Sequence, residues 1–268
     1  MKNISLKTTL FFLFIALSFF ACRNEEKKGK DLTGTDTLTY KTEHIQVLSS
    51  YIPKPQDGIT DITKATISYP VFQNKALNDY LLKQVFSFFS QEEPPTSYQD
   101  VANSFVKGYD EFATENKDYT HSWYLDINIK PISQFKDYIA LAYTHSDYTG
   151  GAHGSHNIIY INFDPVQNKP LTLDNLIENG SSIKLTALGE QIFRKDEKLS
   201  ATEPLTEKYF FENGKFILPL NFYIGKNGLV FLYNAYEIKP YVDGTTELVI
   251  PFDQLKGILK PQYLTAKN

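Results

Sequence analysis

The apolar positions of this chain change period along its length, and the changes mark out its elements. Thr66-Ile67-Ser68-Tyr69 is β-rich and predicts a strand that ends at Pro70. Asn74 is a capping residue, and Leu77, Leu81, Val85 and Phe88 follow at near-helical spacing, predicting a helix that runs to Gln91 before Pro94-Pro95 stops it. Ser97 and Asp100 form a capping-box-like start for a second helix, whose stripe is Val101, Phe105, Tyr109 and Phe112. The period then drops to two. Trp123, Leu125, Ile127 and Ile129 alternate with Tyr124, Asp126, Asn128 and Lys130, a strand with one wet face and Trp123 in the core.

Tyr138 to His145 and His156 to Phe163 predict two further strands around Asp147-Tyr148-Thr149-Gly150-Gly151-Ala152-His153-Gly154. After a turn at Asp164 to Lys169, Thr172 caps a brief helical turn, Leu173 to Ile177. Ser181 or Ser182 caps a third long helix with Ile183, Leu185, Leu188 and Ile192 as its stripe. Phe222 to Ile224 and Leu229 to Tyr233 flank Gly225-Lys226-Asn227-Gly228, a hairpin signal because Asn-Gly accepts positive φ. Glu247 to Phe252 predicts a last strand and Asp253 to Leu259 a closing helix. Helices set between antiparallel strands predict an α+β fold: antiparallel sheets with packed helices, in two intimately associated lobes.

The first residues follow another logic. A basic start (Lys2, Lys7), the apolar run Leu10 to Leu17 and Ala21 before the only cysteine, Cys22, predict a lipoprotein signal peptide over 1–21 with Cys22 as the lipidation site. The run is too short for a comfortable transmembrane helix, which needs about 20 residues. Residues 22–41 are mostly Lys, Glu, Gly, Asp and Thr and predict a flexible tether. The domains expected are therefore an amino-terminal lobe over 42–145 and a carboxyl-terminal lobe over 146–263. With Cys22 anchored, no disulfide is expected, and a sequence that is 42% hydrophobic and 15% aromatic supplies the core instead. Loss of Lys2 and Lys7 with the leader takes the formal charge from −4 to −6. That balance argues against a nucleic-acid partner and favours a cationic one. Glu25-Glu26 after the anchor points to the outer membrane of a Gram-negative envelope.

Four stretches in order resemble a known family: Tyr148 to Gly154, Leu171-Thr172-Leu173-Asp174-Asn175-Leu176, Phe222 through Tyr236-Glu237-Ile238-Lys239-Pro240-Tyr241, and Val249-Ile250-Pro251-Phe252. They are similar to the extracytoplasmic domain of RsiV-type anti-sigma factors and the non-catalytic region of PdaC-type deacetylases. The amino half, from Ile67-Ser68-Tyr69-Pro70 through the Trp123 strand, resembles the PdaC-like companion domain. The resemblance spans roughly residues 45 to 258. It implies an RsiV-like fold in the second lobe and an envelope ligand, lysozyme in the RsiV branch and peptidoglycan in the PdaC branch. With no room for a deacetylase module or sigma-binding segment, neither sugar deacetylation nor signalling is expected to carry over.

Two function classes follow. The first is a lipid-anchored cell-envelope binding protein recognising lysozyme or peptidoglycan-related fragments. Tyr148, His153, Tyr236, Glu237 and Tyr241 are its ligand-binding candidates, because loops rich in Tyr provide contact area at low entropic cost. The alternative is a metal-assisted hydrolase acting on envelope glycan or peptide, with His145, His153, His156 and Asp147 as the possible ligand set. No HExxH pair, Gly-x-Ser-x-Gly elbow or paired carboxylates accompany them, so no catalytic residue, metal or cofactor is expected.

Overall fold

The computed structural model describes residues 38–54, 61–89 and 95–264. The expected leader, Cys22 and the tether up to residue 37 lie outside the described residues. A six-stranded sheet takes the order β1 (Tyr40–Leu48), β2 (Lys64–Phe72), β3 (Tyr124–Phe135), β4 (Tyr138–Tyr148), β5 (Ser155–Asp164), β6 (Lys169–Pro170). All neighbours are antiparallel except β2 and β3, which run parallel because helices α1 (Lys75–Phe86) and α2 (Tyr98–Glu115) carry the chain back between them. Strand β1 has only a partly buried alternation and escapes the sequence reading. Strand β2 does not stop at Pro70. Phe72 N–H and C=O bond the Asn78 side chain, away from β1, so alternation turns the Pro70 nitrogen the same way. The β3 pairing has ended at Ser68, and no ladder bond is lost there.

Helix α1 is capped by Asn74, whose side chain accepts from Leu77 N–H at 3.0 Å, and it ends at Phe86, short of Gln91. Ser97 caps α2 by accepting from Asp100 N–H at 3.0 Å. Leu77, Leu81, Val85, Val101 and Val106 bury against Ile67, Leu125, Ile127, Leu141 and Tyr143, forming the first core. Trp123 sits just before β3, ringed by Phe105, Tyr109 and Phe112.

The second core lies on the opposite face. There β7 (Phe222–Ile224), β8 (Gly228–Tyr233) and β9 (Thr246–Pro251) form an antiparallel sheet. It packs with helix α4 (Ser182–Asp196) and Tyr138 and Ala140 of β4. Ser181 precedes α4 without a side-chain cap bond, and Ile183 points to solvent while Leu185 and Phe193 fill the core. A short helix α3 (Leu173–Leu176) leads into α4, and α5 (Pro261–Leu264) closes the described chain. The helix expected over Asp253–Leu259 is instead two successive turns. Leu255 N–H bonds Phe252 C=O and Ile258 N–H bonds Leu255 C=O, with Gly257 at φ 72° breaking any helical run.

Alternation on β4 joins the two cores. Ile139, Leu141 and Tyr143 face the helices; Tyr138 and Ala140 face the second sheet. Buried Tyr138 donates to Asn162 Oδ1 at 2.5 Å and accepts from Ile224 N–H at 2.7 Å, tying the sheets. The lobe boundary expected after residue 145 therefore falls inside β4, and the sheet continues to Pro170. The lobes are divided by the faces of one sheet.

Candidate functional site

The β4–β5 connection is shaped by its glycines and by Tyr148. Gly150 and Gly151 stand at φ 104° and 99°, which side chains rarely tolerate. Tyr148 stacks on Tyr124 with ring centres 6.1 Å apart, and its hydroxyl donates to Gly151 C=O at 3.1 Å. A Cβ on Gly154 would lie 2.6 Å from the Tyr124 hydroxyl and 2.8 Å from Asp147 C=O, so only glycine passes there. This packing sends His153 outward, beyond the end of the sheet.

The segment after β8 is held at three points. Asn234, buried at its start, accepts from Ile158 N–H at 2.8 Å through Oδ1 and donates to Ile158 C=O at 3.0 Å through Nδ2. Ile238 buries in the second core, and its C=O accepts from Phe210 N–H at 3.0 Å. Lys239 pairs with Glu197 at 2.6 Å over the Tyr209 ring. Between these points Tyr236 takes φ 70° and, with Tyr241, projects toward His153.

The result is an aromatic group drawn from two loops more than eighty residues apart in the chain. His153 stacks on Tyr241 at 4.2 Å and 15°, and Tyr236 lies 5.4 Å from Tyr241 and 6.3 Å from His153. The Tyr241 hydroxyl donates to Gly154 C=O at 3.3 Å. Tyr236 is 58% exposed. A cleft of about 180 Å³ opens beneath them, walled by residues 153–157 on one side and Ala235, Tyr236 and Tyr241 on the other.

The outer edge of β5 forms the strand side of this cleft. Asn221 accepts from Tyr160 N–H and donates to Ile158 C=O, both at 2.7 Å, so with Asn234 two side-chain amides cover the edge from Ile158 to Tyr160. Strand alternation turns the N–H and C=O of His156 to the same side as those of Ile158. Among the described residues no hydrogen bond reaches either group. The His156 ring instead bonds Ser146 Oγ at 2.7 Å across the sheet.

Of the five binding candidates, the structure brings together His153, Tyr236 and Tyr241. Tyr148 is occupied in shaping the loop, and Glu237 leans on Asn234 at 3.5 Å, outside the cleft lining. The three histidines do not converge. His145 is buried on the helix face, stacked on Phe88 at 4.8 Å and bonded to Tyr143 at 3.0 Å and Asp147 at 3.2 Å. His153 and His156 stand at the loop and on the other face, and no group of three metal-capable side chains occurs among the described residues. The ligand set of the hydrolase alternative is therefore divided by the sheet. Asn221, Asn234 and the His156 backbone were not legible as site residues, since each acts through a pairing of distant segments. The nearest local signal was the polar Asn234 at the end of an otherwise apolar strand.

Residues 57–156 match the family model described as Deacetylase PdaC, and residues 174–253 match Protein of unknown function (DUF3298). The peptidoglycan-N-acetylmuramic acid deacetylase PdaC of Bacillus subtilis (strain 168) is 22% identical over 205 residues, 75% of this chain and 40% of that protein. The chain thus spans less than half the length of this curated relative. A DUF3298 family member from Bacteroides fragilis NCTC 9343 superposes with a TM-score of 0.65 at 24% identity, covering 87% of this chain and 99% of that one. A DUF3298 family protein from Pseudomonas aeruginosa PAO1 gives 0.64 at 20% identity, covering 85% and 97%. These two likenesses establish the α+β fold, and together the matches support a PdaC-like/DUF3298 family.

Proposed function

We propose that this PdaC-like/DUF3298 chain is a cell-envelope binding protein that takes a peptidoglycan-related ligand in the cleft beside His153, held to the outer membrane by lipidation at Cys22. The observation that carries the reading is the exposed His153–Tyr241–Tyr236 group above the cleft. Its parts come from both matched segments: His153 falls in 57–156, and Tyr236 and Tyr241 in 174–253. Ligands favour such rigid aromatic anchors, and pinning by Asn234, Ile238 and Lys239 removes much of the ordering cost of binding. The cleft lining holds two histidines but no carboxylate to orient or pair with them, which favours binding over hydrolysis.

Purified peptidoglycan sacculi should retain the wild-type protein in a pull-down. Tyr241→Ala should weaken that retention at least tenfold, about 1.4 kcal/mol, without lowering Tm. Absence of wild-type retention would overturn the reading. A protein ligand such as lysozyme is a second reading, favoured by the 87% exposure of Val242 beside Tyr241. Tight lysozyme binding without sacculus binding would select it. Cys22→Ala should release the protein from membranes on fractionation.

A further inference from the structure

The edge that lines the cleft already binds carboxamides of its own chain. Asn234 meets Ile158 as donor and acceptor at once, at 3.0 and 2.8 Å, and the rung before it, His156, presents the same pair unoccupied to the cleft. Resting on the peptidoglycan reading above, we infer that the N–H and C=O of His156 bind the peptide part of the ligand, accepting one extended amino-acid residue or one primary carboxamide as a two-point pair.

The geometry selects among amides. A primary carboxamide carries an N–H on the same side as its C=O, which is how Asn234 satisfies both groups of one strand residue. One residue of an extended peptide does the same with its own N–H and C=O, as across any hydrogen-bonded pair of an antiparallel ladder. The N-acetyl group of an amino sugar is a secondary trans amide, so its N–H and C=O point to opposite sides and only one reaches the rung. Sugar alone is the poorer occupant.

A long added strand is excluded as well. Outward rungs recur about every 7 Å, and the next ones are occupied: Asn234 and Asn221 hold Ile158 and Tyr160, and the Tyr241 hydroxyl holds Gly154 C=O. The frame admits a single residue. The aromatic group stands beside it across the cleft.

Calorimetry on the full chain with four probes tests this: N-acetylmuramyl-L-alanyl-D-isoglutamine, N-acetylmuramic acid, N-acetyl-L-alanyl-D-isoglutamine and N-acetyl-L-alanyl-D-glutamic acid. The glycopeptide and at least one peptide should bind, and the sugar at least tenfold more weakly. Equal binding of both peptides assigns the rung to an extended residue; preference for the isoglutamine form assigns it to the carboxamide. Amide exchange at His156 should slow at least tenfold on glycopeptide binding. His156→Pro removes that donor at an unpaired strand edge together with the ring bonded to Ser146, and should weaken binding at least tenfold more than His156→Ala, which loses the ring alone. The exchange measurement uses the unaltered protein and decides the matter if the variant misfolds. Sugar binding as tightly as glycopeptide, or an unchanged His156 amide on a bound protein, overturns the inference while sacculus binding stands. Sacculi that are not retained overturn the functional reading itself.

Discussion

At the scale of single residues, the site depends on side-chain amides standing in for backbone. Asn234 is 7% exposed and makes two hydrogen bonds to Ile158, so Asn234→Ala leaves the Ile158 N–H without its partner, while the Ile158 C=O keeps Asn221. The expected loss is about 1–2 kcal/mol in urea unfolding, because an orphaned donor bears its desolvation cost. Asn234→Asp should be nearly as damaging, since it keeps the acceptor but sets a second carboxylate oxygen against Ile158 C=O. Gly154→Ala is expected to cost about 1–3 kcal/mol by driving Cβ into the Tyr124 hydroxyl and Asp147 C=O. The aromatic members of the site were legible in the sequence, because tyrosines in loop-forming stretches announce contact surfaces. The amides were not. Nothing local to Asn221 or Asn234 says that Ile158, more than sixty residues away, will be their partner.

At the scale of elements, Asn74 shows how one residue serves two. Its carbonyl oxygen caps α1, while its Nδ2 donates to Pro165 C=O at 3.1 Å and Asn168 Oδ1 at 2.7 Å in the turn after β5. Asn74→Ala should lower stability by about 1–2 kcal/mol, measured by thermal or urea unfolding. Asn74→Ser should recover the capping part only, since a hydroxyl is too short to reach the β5–β6 turn. One-sided burial imposed a clean period on α1, α2, α4 and β3, while the β7–β8 hairpin was legible from Asn227-Gly228 although β8 is buried along its whole length. Two readings failed for identifiable reasons. Phe252, Leu255, Ile258 and Leu259 imitate helical spacing, yet tertiary burial is satisfied by turns through Gly257. Strand β1 buries too little on either face to leave a pattern. The parallel β2–β3 pairing is a matter of chain path, which periodicity does not encode.

At the scale of the whole molecule, two cores share one sheet, and both bury tyrosines. Burial, reinforced by Tyr223 and Glu247, pushes the Tyr160 hydroxyl up to about 12. Tyr98, Tyr143, Tyr209 and Tyr233 are raised as well, in each case chiefly by burial. In the unfolded chain these groups lose their protons near pH 10. The stabilisation is therefore complete below that value and is lost as pH rises toward 12 and beyond, where the unfolded state is drawn by ionisation. Tm should stay flat up to about pH 10 and then fall steeply. Phenolate absorbance of the buried tyrosines should rise with unfolding instead of ahead of it; early titration of all tyrosines in a folded protein would contradict their burial. Strand β1 carries one more consequence. It has a single neighbour, to which it is joined by nine register pairs from Tyr40↔Phe72 to Leu48↔Lys64. Its Tyr40 end lies opposite the end of the sheet that carries the cleft, because Leu48 pairs with Lys64, Lys64 with Tyr124, Tyr124 with Tyr148 and Asp147 with Ser155. A pull on Tyr40 against a hold at the cleft therefore runs along β1 and loads its rungs together, in shear, whereas a pull across the strand would open them one at a time.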